Sequence, residues 1–403
     1  MVRTVYNLNQ GNPVIVEQDT YLFTAIKEGA SAPYTTKAFQ FGRGGDSFTL
    51  QNAGGTGGAS TTTNNRFVDG VASPNKRWFA VASQINTGAD PAITIWENNF
   101  DGTMSFAASF SGTGGLVNSG ASKLIFSPDS TKLFAVGSGA TSQVVLQYIK
   151  LTGSTWASQS TMTATTLTMS NPNSISHHPT DDKLLIMNLV AGEAIHEVTY
   201  DATSFGTPSE LINGVSNRQH LQPRYSPNGE YIMYMSITGT ISPYTREIRL
   251  HKIGVGLVDT LDVSSVVEDR AANAAPSDAA WFADSSHIVF AADVIGGSGN
   301  TNDGLLLIKR TGDTLSLEQT IDYTSDAPNI TNISLTQDTF PLLAIGAGDP
   351  RADTGGWVVS AVRQFLRTLK FNSGTGLFDT TPIQNFTEGN VAAFAPPSTY
   401  PAP

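Results

Sequence analysis

Asp293, Asn300, Asn302 and Asp303 fall within one stretch, Asp-Val-Ile-Gly-Gly-Ser-Gly-Asn-Thr-Asn-Asp. Carboxylate and amide oxygens beside glycines are what a calcium ion takes, since a hard cation prefers oxygen donors and glycine lets the backbone turn sharply. The stretch lacks the alternating Asp order of an EF-hand loop and its closing Glu, so it reads first as a surface turn. Gly348-Asp349-Pro350-Arg351-Ala352-Asp353 has the same character. Six histidines offer a second chemistry: His177, His178, His196, His220, His251 and His287. His177 and His178 are adjacent and precede Pro179, where imidazoles would serve as a base or as metal ligands. The alternative is that they replace the Phe-Ser found elsewhere at a repeated turn and are structural. Neither a His-Glu-x-x-His pair nor a Gly-x-Ser-x-Gly nucleophile turn occurs. Gly42-Arg43-Gly44-Gly45 has no following Gly-Lys-Ser/Thr and reads as a hairpin turn rather than a phosphate loop.

These residues are carried by a repeat. Ser73-Pro74-Asn75, Ser127-Pro128-Asp129 and Ser226-Pro227-Asn228 each precede an apolar run: Trp78–Val81, Leu133–Val136 and Tyr231–Tyr234. Weaker copies lie at His178–Asp181, Ala283–Ser286 and Thr336–Asp338. The anchors Ser73, Ser127, Pro179, Ser226, Asp284 and Gln337 follow one another at 54, 52, 47, 58 and 53 residues. A period of this length built from short strands indicates one four-stranded propeller blade per copy. After each apolar run come another strand, a Gly- or Asp-containing turn and a last strand, as in Ile93–Trp96, Asp101-Gly102 and Met104–Phe106.

Six copies are complete, and the seventh is split. Tyr21–Ile26, Lys37–Phe41 and Ser47–Leu50 supply three strands near the start, and Val391–Phe394 supplies the fourth. The expected fold is therefore all-β, a seven-bladed β-propeller. Its ring is closed by N-terminal strands at about 20–51 pairing with a C-terminal strand at about 390–396, which removes an open sheet edge. The expected organisation is an N-terminal arm (1–18), one propeller domain (19–397) and a Pro-rich tail (398–403). Gly54–Thr63 reads as a flexible loop, and 268–279 as a short helical turn.

Composition narrows the function. Of 403 residues only 14% are charged, and the net charge is −11, which disfavours duplex nucleic acid as a partner. No cysteine is present, so disulfides and thiolate metal sites are excluded. The first residues, Met1–Leu8, lack the apolar core of a secretory signal, and no stretch approaches the length of a membrane-spanning helix.

The Ser-Pro-Asp/Asn turn followed by an apolar strand resembles the seven-bladed propellers of the Trp-Asp-repeat and lactonase-like groups. The copies carry neither the Trp-Asp dipeptide nor the Gly-His signature. The lactonase-like resemblance implies acidic or amide metal ligands in the central channel. Low charge, abundant Gly, Ser, Thr and Asn, and no Cys are also similar to structural proteins of tailed-phage virions, some of which use propellers at the tail nozzle. The expectation is a non-enzymatic structural or binding propeller. It would be a bacteriophage virion component, in the tail or associated with the capsid, assembled in the host cytoplasm. Its partners would be other virion proteins or copies of itself, as a homo-oligomer, with no catalytic residues and no cofactor. The rivals are a calcium-dependent lactonase-like hydrolase with channel carboxylates, and a carbohydrate-binding or scaffold propeller.

Overall fold

The computed structural model describes residues 4–6, 13–15, 21–28, 34–44, 47–60, 66–84, 91–100, 103–111, 121–138, 143–163, 172–188, 192, 194–239, 242–268, 278–294, 304–323, 330–335, 342–347, 365–380, 384–386 and 391–395. Seven antiparallel sheets and one two-stranded hairpin make up the described strands. Blade 1 runs through Arg66–Ala72, Trp78–Gln84, Pro91–Asn98 and Met104–Ser111. Blade 2 comprises Ala121–Phe126, Lys132–Ser138, Gln143–Lys150 and Trp156–Thr163. Blade 3 comprises Pro172–His177, Lys183–Asn188, Ile195–Thr199 and Ser209–Ile212. Blade 4 is Arg218–Tyr225, Tyr231–Thr238, Thr245–Lys252 and Gly256–Asp262. Blade 5 is Asp278–Trp281, His287–Ala292, Gly304–Thr311 and Thr314–Asp322. In blade 6, Ile330–Leu335, Leu342–Ala347 and Phe365–Asn372 are followed by two short pieces, Leu377–Phe378 and Gln384–Phe386, both paired to Phe365–Asn372. Blade 7 takes Val391–Ala395 as its first strand and Tyr21–Glu28, Tyr34–Gly44 and Ser47–Ser60 as the rest.

Val391–Ala395 pairs with Tyr21–Glu28 in antiparallel register, with Phe23 opposite Ala395 and Thr24 opposite Phe394. The first strand of each blade lies against the first strand of the next, from blade 1 through blade 7 and back to blade 1.

The Ser-Pro-Asx turn explains why each blade starts the same way. Ser73 Oγ accepts from Trp78 N at 2.9 Å and donates to Asn75 Oδ1 at 2.7 Å. Asn75 Oδ1 in turn accepts from Arg77 N at 3.0 Å. Ser226 and Asn228 repeat the pattern with Tyr231 N and Glu230 N. Proline presets the first turn residue, and the Asx side chain supplies the acceptor that stops the loop from unwinding. The residue after Asx turns left-handed, with φ of 61° at Lys76, 60° at Ser130 and 72° at Gly229. These turns also join blades: Asn75 N donates to Ser130 Oγ, and Asn228 N to Ser285 Oγ.

Burial follows radius. The second strand of blade 4, Tyr231–Thr238, is buried along all but its last residue, because sheets stack on both of its faces. The outermost strand of blade 5, Thr314–Asp322, alternates exposed residues with half-buried ones and, near its end, the buried Ile321, as a one-sided strand should.

Two local expectations change. Residues 54–60 form the end of the long strand Ser47–Ser60 rather than a loop, and register shifts against Tyr34–Gly44 absorb its glycines. Asp278 and Ala279 belong to a strand rather than a helical turn, paired with Ala291 and Phe290; residues 269–277 lie outside the described residues. In the N-terminal arm, Thr4–Tyr6 pairs with Pro13–Ile15 as a hairpin.

Candidate functional site

The innermost strands carry a polar residue four positions before the residue that leads each turn. In blades 1 to 5 these are Asp69, Lys123, Ser174, Gln222 and Asp278, each at most 7% exposed. A register shift marks the place in four of these strands: between Phe67 and Asp69, Ala121 and Lys123, Pro172 and Ser174, and Leu221 and Arg224. A bulge re-aims a side chain that the regular pleat would bury against a neighbouring blade. In blade 4 it is sharpest: Gln222 takes a φ of 50°, a strained value for a non-glycine residue.

The side chains meet. Lys123 Nζ lies 3.5 Å from Asp69 Oδ1 and 3.5 Å from Asp278 Oδ1. Blades 2 and 5 are three steps apart in a ring of seven, so this ammonium spans the axis. Arg224 donates to Asp278 Oδ1 and Gln222 Oε1, both at 2.9 Å, to Ser174 Oγ at 2.9 Å and to the Ala279 carbonyl at 3.1 Å. The carboxylates also stitch successive blades together. Asp69 Oδ2 accepts from Leu124 N at 2.7 Å, and Asp278 Oδ2 from Ile333 N at 3.1 Å. One network thus touches blades 1 to 6.

Two carboxylates and two cations bring the cluster to electrical balance. Burial holds the Asp69 carboxyl above the usual carboxylate range, and Asp278 pushes the same way, while Lys123, the Leu124 amide and Arg224 oppose the shift. Each charge has a partner of opposite sign, which is what allows charged groups to persist in a low dielectric. The arrangement is that of an internal tether, with an ammonium between carboxylates where a channel cation would stand.

Of the residues singled out from sequence, those described lie elsewhere. Asp293 is buried, and its backbone carbonyl accepts from Glu268 N at 2.9 Å. Asn300, Asn302 and Asp303 lie outside the described residues, as do 348–364. Among the described residues no group of three or more His, Asp or Glu is placed to hold a metal. His177 ends the first strand of blade 3 fully buried, bonded to Tyr200 Oη through Nε2 and to the His178 carbonyl through Nδ1. Burial pushes its imidazole down to about 4, so it is neutral. His178 sits in the turn, where its Nδ1 accepts from Asp181 N at 3.0 Å and its ring meets Tyr225 edge-on. Both histidines are therefore committed to the fold.

Sequence reasoning missed the axial residues. The signal was present: a polar side chain four residues before the residue that leads the turn in blades 1 to 5.

No family model matches the chain, and no curated protein matches it. Solved structures do. A candidate 6-phosphogluconolactonase from Bacteroides uniformis superposes with a TM-score of 0.64 at 12% identity, covering 94% of this chain and 100% of that one. A second, from Bacteroides fragilis, gives 0.61 at 11% identity over 96% and 99%. A protein from Lactobacillus plantarum gives 0.59 at 10% over 94% and 99%. At such identities the likeness shows the fold alone: the chain is a β-propeller.

Proposed function

We propose that this chain is a non-enzymatic propeller that serves as a rigid disc for binding and assembly. The observation that carries the reading is the axial cluster. Lys123 and Arg224 already satisfy the two carboxylates at the axis, so a metal or charged substrate entering at this level would have to displace them. One face supports docking. The turns between third and fourth strands raise Phe100, Leu151 and Val255 to 51%, 51% and 70% exposure, on the same side as the Ser-Pro-Asx turns. Exposed apolar side chains at turn tips suit contact with neighbouring subunits. The expected partners are copies of this chain or other virion proteins; the support for the virion setting is compositional.

A second reading, hydrolysis of a sugar lactone, is favoured by the fold likeness to the two Bacteroides proteins. The separating experiment incubates the purified protein with 6-phosphogluconolactone, with and without calcium, and follows acid release. No acceleration over buffer is expected, and light scattering should give a mass above that of one chain. Turnover of the lactone, or one tightly held divalent ion per chain with a monomeric mass, would overturn the proposal.

A further inference from the structure

The seam between blades 3 and 4 holds a different polar group. His220, on the first strand of blade 4, stands directly opposite Ser236 on the second. Ser236 is in turn opposite Glu247 on the third. His220 is 2% exposed and Ser236 0%. Neither His220 Nδ1 nor Ser236 Oγ has a hydrogen-bond partner among the described residues. Such buried atoms are rare in a folded protein and call for a partner.

The hydrogen-bonding roles can be assigned. His220 Nε2 lies 3.4 Å from the Asn213 carbonyl, which only accepts, so Nε2 carries the proton. Burial pushes the imidazole down to about 4, with Arg249 and Arg218 adding to the fall and the Asn213 carbonyl opposing it. The ring is therefore neutral, and Nδ1 is a bare acceptor. The edge-to-face contact with Tyr234, centroids 5.1 Å apart, fixes the ring plane. Glu247 is taken by Arg249 at 2.8 Å and by Arg218 at 4.0 Å. The missing partner must donate to His220 Nδ1 and exchange a hydrogen bond with the Ser236 hydroxyl. A cation is disfavoured there by the two arginines, and a small neutral donor and acceptor fits.

We infer that one water molecule is built into this seam, bridging His220 Nδ1 and Ser236 Oγ. Internal waters of this kind serve polar groups that the fold cannot pair directly, and they are part of the structure. The water makes the contact between these blades polar at its centre, whereas the seam between blades 1 and 2 is lined by Trp78, Phe126 and Trp156.

The test is a crystal structure of the full chain at a resolution where ordered waters refine individually. One peak within hydrogen-bonding distance of both atoms, about 2.7–3.2 Å, is the expected result. A direct Oγ–Nδ1 hydrogen bond, or no density between them, overturns the inference. Denaturant unfolding gives a second reading. Ser236→Ala and His220→Phe, the latter keeping an aromatic ring against Tyr234, should each raise the unfolding constant about 5- to 30-fold. The double variant should lose less than the product of the two, because both groups that need the water are then gone. A strictly multiplicative double variant would also overturn it.

Discussion

Two charged contacts between blades differ mainly in their distance from the axis. At the axis, Lys123, Asp69, Arg224 and Asp278 are nearly closed off from solvent. At the rim, Lys252 of blade 4 holds Asp313 of blade 5 at 3.0 Å, with side chains 34% and 47% exposed. Tyr231 Oη donates to the same carboxylate at 2.6 Å, and the Arg310 guanidinium lies over the Tyr231 ring. The chemistry is shared, but the consequence of losing a partner is not. Water replaces a lost ion at the rim, whereas at the axis the remaining charge is stranded in a low dielectric. The Asp313 carboxyl is held below its usual range by the Tyr231 hydroxyl first and Lys252 second, a local effect with little weight for the ring.

The largest effect should come from the axis. Lys123→Met leaves Asp69 and Asp278 buried without their shared cation, and about 3–5 kcal/mol of unfolding free energy should be lost. Converting Asp69 to Asn in the same variant should restore most of it, since Asp278 keeps Arg224 as its partner and the amide oxygen still accepts from the Leu124 amide. Chemical denaturation measures both, and a Lys123→Met loss no larger than that of a rim variant would erase the distinction.

Acid sharpens the same comparison. His177 and His220 are buried, and their pKa values fall to about 4 from an unfolded value of 6.5. Because the folded value is the lower one, the folded state binds fewer protons between these limits. The associated stability is complete above pH 6.5 and is lost as pH drops toward 4, by about 3 kcal/mol for each group. Asp313 titrates below that window, so this range reports on buried groups rather than the rim. His220→Phe should flatten part of the slope; an unchanged pH dependence would show that His220 is not held neutral.

The smallest change is expected for Lys252→Ala. Its effect on Tm should be the least of the three and should shrink further as salt is raised, since exposed pairs are screened. A salt-independent loss comparable to that of Lys123→Met would mean that the rim carries the ring.

Much of the fold is legible because its determinants are local. Ser73 donates to Asn75, and the two side chains accept from the Trp78 and Arg77 amides, all within five residues, so the turn and the strand after it show wherever the triplet recurs. The split blade is legible for a related reason: six complete copies leave three strands at one end and one at the other, and Phe23 does stand opposite Ala395. Misreadings arose where local composition pointed away from the tertiary answer. The glycines after Gly54 look like a loop but are held as strand by pairing with Tyr34–Gly44. Ala-rich residues before Asp278 look helical, yet Asp278 is drawn into a strand by blade 5.

The amino-acid sequence by itself determined the blade, its repeat number and the division of one blade between the two ends, because turn chemistry and period-two burial act over a few neighbouring residues. It also placed a polar residue at the same step of the inner strands of blades 1 to 5. Only the tertiary structure decided which of those residues meet. Lys123 finds Asp278 across the axis, 155 positions along the chain (278 − 123), because curvature accumulated over several blades brings their inner strands together. No local pattern encodes that distance; it exists only once the ring is assembled.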